Sequence, residues 1–232
     1  MRYLSTRGQH TTDAVGALLQ GLAPDGGLYV PEELPRFEPA AVDGSSIAEI
    51  AEVLLTPFLA GSALAEPLAE ICREALNFPI PLRRLGGRDG SVAVLELFHG
   101  PTAAFKDVGA RFLAAAMQRA LPIADTADRR PLTILVATSG DTGGAVAAAF
   151  HNRPGFRVGV LFPRGQVSPR QRHQLACWGG NVRSFEVSGT FDDCQAMVKG
   201  AFADPEMRAA HRLGAANSIN IGRLLPQLVY HA

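Results

Sequence analysis

Lysine is scarce in this chain, and its positions carry chemical information. The 232 residues include twenty arginines but two lysines, Lys106 and Lys199. A retained lysine can do what a guanidinium cannot, such as form an imine with a carbonyl or accept a proton. Lys106 closes the stretch Glu96-Leu97-Phe98-His99-Gly100-Pro101-Thr102-Ala103-Ala104-Phe105-Lys106-Asp107, between an apparent strand and an apparent helix. There it feels the positive end of the helix dipole, and Phe105 beside it removes water; both favour a nucleophilic amine. A solvated surface lysine is the plainer reading of the same residues, and it is the simplest one for Lys199 in mid-helix. His99 either lines a site or serves as a core or capping histidine.

Two other stretches have unusual chemistry. Ala137-Thr138-Ser139-Gly140-Asp141-Thr142-Gly143-Gly144 joins an apolar run to an Ala-rich helix. Its successive backbone N–H groups can form an anion nest at the helix N-terminus. It is neither GxGxxG nor a Gly-Lys-Ser/Thr phosphate loop. A cap by Ser139 or Asp141, with glycines for tight packing, explains the same residues. In Asn217-Ser218-Ile219-Asn220-Ile221-Gly222-Arg223, Asn220 can cap a helix and Arg223 falls in its first turn. The dipole does not favour Arg there, so either an anion accounts for it or it is a surface residue beside a polar loop.

Loops of this kind need rigid elements to hold them. From residue 92 onward, apolar runs alternate with helical stretches. Strands are expected at 92–98, 132–137, 156–162 and 182–187, and helices at about 107–120, 142–151, 169–178 and 191–202. Unbroken apolar strands separated by helices indicate a parallel sheet of βαβ units, an α/β class with helices on the sheet. In such sheets ligands bind at the carboxyl ends of the strands. The first eighty residues read as mainly helical, with a cap at Thr11–Asp13, helices near 47–60 and 64–76, and a short strand at Leu28-Tyr29-Val30. Gly86-Gly87-Arg88-Asp89-Gly90 reads as a turn.

Composition excludes several classes. Basic and acidic residues number 22 each, for a formal charge of zero, which speaks against a nucleic-acid binder or a polybasic membrane anchor. Apolar residues make up 47% and charged residues 19%, an ordinary globular balance. No run of about 18 apolar residues suggests a membrane span, and no apolar leader opens the chain. Cys72, Cys177 and Cys194 are scattered and odd in number, so reduced thiols in a cytoplasmic protein are expected. The histidines lack ligand spacing, and no metal site is expected.

Taken together, ELFHGPTAAFKD, ATSGDTGGAV, LFPRGQVSPRQ, FDDCQAMVKGAF and NSINIGRLLPQ resemble the threonine synthase family in content and order. YLSTRG and APDGGLYVPEELP resemble the N-terminal domain of that family. The resemblance implies a fold type II pyridoxal-phosphate enzyme converting O-phosphohomoserine and water to threonine and phosphate. It implies an aldimine on Lys106, with Phe105 and Asp141 at the cofactor. It further implies that Ser139, Gly140 and Thr142 hold the substrate carboxylate, and that Asn217, Ser218 and Arg223 hold its phosphate. Residues 1–80 correspond to the N-terminal domain and 81–232 to the first part of the catalytic domain. The family continues well beyond this length, so a truncated chain is expected, with apolar surface left open to self-association. A non-catalytic fragment that binds a phosphorylated ligand or a partner chain is an alternative. So is another fold type II lyase such as a serine or threonine dehydratase, although its substrates carry no phosphate.

Overall fold

The structure is a computed structural model and describes residues 1–38, 46–86, 92–124 and 128–232. Most of the expected glycine turn at 86–90 lies outside the described residues.

The N-terminal part is mainly helical, as expected, and adds a small sheet. Strands β1 (Arg2–Ser5), β2 (Thr11–Asp13) and β3 (Tyr29–Pro31) form an antiparallel sheet in the order β2-β1-β3. β3 lies within one residue of the strand expected at Leu28-Tyr29-Val30, while β1 and β2 are too short to show an alternating pattern. Three helices accompany it, α1 (Ala14–Gln20), α2 (Ile47–Leu59) and α3 (Leu68–Ala75). Asp13 caps α1, accepting from the Gly16 N–H, and Gly21 ends it at φ 69°, where glycine is favoured. Ser46 and Glu49 make a capping box at α2.

The run at 92–98 does not join the parallel sheet. Only Ala93–Leu95 is a strand, β5, and it pairs antiparallel with β4 (Leu82–Arg84) in a separate hairpin. The parallel sheet has four strands, β6 (Leu132–Ala137), β7 (Phe156–Pro163), β8 (Val182–Val187) and β9 (Arg212–Ala215), in the order β8-β7-β6-β9. The fourth strand is β9 in place of the run at 92–98. Its sequence, Arg-Leu-Gly-Ala, has one large apolar residue, and it is a strand because β6 supplies a pairing edge from Leu132↔Arg212 to Leu135↔Ala215.

Helix α4 (Lys106–Ala124) runs past the expected end at 120, with Pro122 in its last turn. Helices α5 (Asp141–Phe150) and α6 (Pro169–Ala176) link β6 to β7 and β7 to β8; α7 (Phe191–Ala203) and α8 (Pro205–Ala210) return to β9. Since the first two crossovers step one way across the sheet and the last steps back, right-handed connections put α5 and α6 on one face and α7 on the other. α4 packs on the α5 side. Its apolar residues Val108, Phe112, Leu113 and Met117 are fully buried in one core shared with Leu18, Ile71 and Phe150. The chain ends in α9 (Ile221–Leu224) and a 3-10 helix (Leu225–His231).

Candidate functional site

Parallel pairing of β6 with β9 sends the loops at 138–140 and 216–220 out of the same edge of the sheet, its carboxyl edge. The Lys106 loop reaches that edge from outside the sheet, at the front of α4, and does not follow a sheet strand. It is held by a buried carboxylate. Asp107 is 1% exposed; its Oδ2 accepts from the Thr102 N–H at 2.9 Å and its Oδ1 from the Thr102 hydroxyl at 2.7 Å. Gly100 is needed because a Cβ there would meet Asp107 Oδ2 at 2.5 Å. Ala103 sits at φ 56°, in a region that costs an L residue energy, three residues before Lys106. The wound loop delivers Lys106 as the first residue of α4.

Lys106 Nζ lies 3.6 Å from Asp141 Oδ2 and 4.5 Å from the centre of the Phe105 ring, with its side chain about a quarter exposed. Two stretches distant in sequence are thus brought together as a cation, a carboxylate and an aromatic face. His99 is turned to its own neighbours. Its Nε2 is 2.7 Å from Glu96 Oε2 and its ring packs on Phe98.

In the loop after β6, Thr138 was not anticipated as a functional residue, yet it organises the turn. It is buried, and its Oγ1 accepts from the N–H groups of Gly140 at 3.0 Å and Gly143 at 2.9 Å. The Gly140 amide is therefore taken internally. Among the described residues, the amides of Ser139, Asp141 and Thr142 carry no such bond and remain the free donors at the front of α5. Gly140 stands at φ 153° and ψ −105°, a conformation confined to glycine.

In the third loop, Asn217 and Ser218 are exposed, whereas Asn220 and Arg223 are buried. Asn220 caps α9, accepting from the Gly222 N–H at 2.8 Å. The backbone of Arg223 abuts α4 one turn beyond Lys106, where a Cβ on Gly109 would meet the Arg223 carbonyl oxygen at 2.8 Å. The guanidinium of Arg223 donates to the Ala216 carbonyl at 3.0 Å, and its Nε has no partner among the described residues. Burial pulls its pKa down to about 10. A charge buried without a counter-ion is costly, and an anionic ligand would supply what is missing.

These residues fit the aldehyde and ring of a pyridoxal phosphate group. An accessible primary amine stands beside an aromatic face at the mouth of the carboxyl edge.

Comparison with known proteins agrees with this class. Residues 74–223 match the family model described as pyridoxal-phosphate dependent enzyme, and residues 2–76 match that of the threonine synthase N terminus. The chain belongs to the pyridoxal-phosphate dependent enzyme family. It is 42% identical to the threonine synthase of Escherichia coli K12 over 93% of its own length and 49% of that protein. It is also 42% identical to that of Pseudomonas aeruginosa, over 100% of its length and 50% of that protein. Among solved structures, the PLP bound threonine synthase of Brucella melitensis superposes with a TM-score of 0.88 at 43% identity, covering 100% of this chain and 50% of that one. The yeast enzyme gives 0.87 at 32% identity, covering 99% and 48%. The chain thus spans about half the length of the curated relatives it matches.

Proposed function

We propose that this chain carries the lysine-bearing half of a threonine synthase, the enzyme that converts O-phosphohomoserine and water to threonine and phosphate. The observation that carries this reading is the convergence of Lys106, Phe105 and Asp141 at the carboxyl edge of the sheet. The extent and specificity of the similarity to threonine synthases support it.

Pyridoxal phosphate, when bound, supplies an electron sink for charge on the substrate carbons. The protein does the rest. Lys106 would hold the cofactor at its aldehyde, and its amine would hold or move a proton at the α and β carbons of the substrate. Asp141 sets the charge facing the amine and the ring, and Phe105 gives an apolar wall. The free amides at Ser139 and Thr142, with Gly140 shaping the turn, receive the substrate carboxylate. Arg223, with Asn217 and Ser218, receives the substrate phosphate, which accounts for a buried guanidinium without a carboxylate partner among the described residues. On this reading residues 1–80 are an N-terminal domain and 81–232 the first part of the catalytic domain. No described helix is long and apolar enough to cross a membrane. The partner is a small phosphorylated molecule in the cytoplasm, with no role for nucleic acid.

The test is an absorbance titration of the purified chain with pyridoxal phosphate, beside Lys106→Ala. A visible band that saturates stoichiometrically and is absent from the variant is the expected result. An equal band in both proteins overturns the assignment of Lys106. Phosphate release from O-phosphohomoserine is the expected activity, and ammonia release from serine or threonine in its place would identify a dehydratase.

A further inference from the structure

Helix α6 contributes no residue to the candidate site, yet it touches two of the three loops that do. Its N-terminus is fixed by a capping box in which Ser168 and Gln171 exchange side-chain-to-backbone bonds. The Gln171 side-chain oxygen is used in that box, which leaves its Nε2 to point forward. That nitrogen donates to Asp141 Oδ1 at 3.1 Å, while Asp141 Oδ2 faces Lys106. One turn along, Gln174 Nε2 donates to the Thr102 carbonyl at 3.2 Å, in the Lys106 loop. Residues three apart share a helix face, so both contacts come from one surface of α6.

The glycines of the 138–144 stretch are what let α6 come so close. A Cβ on Gly140 would meet Gln171 Nε2 at 2.3 Å, and one on Gly143 would meet Leu175 Cδ2 at 2.7 Å. Gly144 faces the Cβ of Gln174, at 3.8 Å from where its own would stand. These glycines thus serve helix packing at least as directly as ligand approach.

We propose that Gln171 is a positioning residue: it holds one oxygen of Asp141 so that the other stays opposite Lys106, and α6, backed onto the Lys106 loop by Gln174, is the scaffold that fixes this arrangement. The neighbouring Asp107 carboxylate is engaged by Thr102, and among the described residues Asp141 is the acid paired with Nζ. The proposal rests on Lys106 being the reactive amine, but its test needs no bound cofactor.

With two lysines in the chain, Lys199, exposed on α7, is an internal standard. The purified chain is treated with trace acetic anhydride, and acetylation of Lys106 relative to Lys199 is read by mass spectrometry. Asp141→Asn is expected to raise the ratio about two- to five-fold, the range a part-exposed ion pair supports. Gln171→Met, which keeps length and apolar packing, is expected to raise it in the same direction and by less. In the Asp141→Asn background Gln171→Met is expected to change nothing, because its action passes through that carboxylate. A further rise in that background would show general loosening of the loop and overturn the proposal, as would an unchanged ratio for Gln171→Met alone. If Gln171→Met does not fold, Gln171→Leu is read in the same two backgrounds. These ratios are independent of the visible band, so failure of the Lys106 assignment and failure of the Gln171 role remain distinguishable.

Discussion

The Asn220 side chain donates to the Leu18 carbonyl at 2.9 Å, joining α1 near the start of the chain to the loop that carries Arg223. Its Nδ2 also donates to the Ala215 carbonyl at 3.1 Å, and its Oδ1 caps α9. All three bonds are buried, and Gly21 leaves room for them, since a Cβ there would stand 2.9 Å from Asn220 Nδ2. The N-terminal helix is therefore a wall of the third loop. Asn220→Ala is expected to cost about 3 kcal/mol or more, a lost cap at about 1 and two unsatisfied buried carbonyls at about 1 or more each. Asn220→Asp keeps the cap but turns a carboxylate oxygen toward two carbonyls, and is expected to cost more than Ala. Denaturant unfolding of the three proteins checks the order; an Asp variant as stable as the parent would contradict it.

Thr138 holds the front of α5 through one hydroxyl. Thr138→Val keeps the shape and removes the acceptor, leaving the amides of Gly140 and Gly143 without it. A loss of about 2 kcal/mol is expected, with Thr138→Ser restoring most of it. The same Val variant is expected to speed hydrogen exchange at Gly140 and Gly143, and unchanged exchange at both would remove Thr138 from this role.

The strands β6 and β7 were legible because each is a largely apolar run between helical stretches, as buried parallel strands are, and β8, Val-Arg-Ser-Phe-Glu-Val at the sheet edge, because it too falls between two helical stretches. β9 was not, since Arg212-Leu213-Gly214-Ala215 is a strand by virtue of the edge it meets and not of its own composition. The run at 92–98 has the composition of a buried strand, yet Val92, Val94 and Leu95 stay exposed in the hairpin. In the candidate site, Lys106 stood out through the scarcity of lysine and its place before a helix. Its proximity to Asp141 became visible only with tertiary structure. Gln171 gave one local signal, the Ser-x-x-Gln pattern of a capping box, which locates a helix start but says nothing of Asp141 beyond it.

Glu74 links α3 to α4 and to the turn that follows α5. Its Oε1 lies 2.6 Å from Arg153 Nη2 and its Oε2 2.9 Å from Arg119 Nη1. Burial pushes its pKa up, but hydrogen bonds from Arg119 and Arg153 outweigh burial and hold it below the usual carboxylate value. A carboxyl depressed in the folded state contributes stability above its unfolded pKa and loses it as pH falls through the folded one. The protein is therefore expected to lose stability on acidification through the carboxylate range. Glu74→Gln is expected to cost about 1 to 2 kcal/mol at neutral pH, discounted for its partial exposure. It is also expected to flatten the acid limb of stability against pH. An acid limb of unchanged slope in Glu74→Gln would assign the pH response to other carboxyls.

Arg223 separates folding from binding. Its buried charge has no acidic partner among the described residues, and burial lowers its pKa, so in the ligand-free protein the guanidinium is a liability. Arg223→Met removes that charge at similar length and gives up one bond to the Ala216 carbonyl. Its stability in phosphate-free buffer is expected to stay within about 1 kcal/mol of the parent, the two effects opposing each other. Inorganic phosphate is expected to behave differently in the two proteins. At about ten times its Kd it stabilises the parent by about 1.4 kcal/mol through mass action, read as a rise in melting temperature against matched chloride. The Met variant is expected to show no such rise. Arg223→Lys, which keeps the charge but loses the planar fork, should retain part of it. Equal stabilisation of all three proteins by phosphate would place the anion site elsewhere and leave the buried guanidinium without a function.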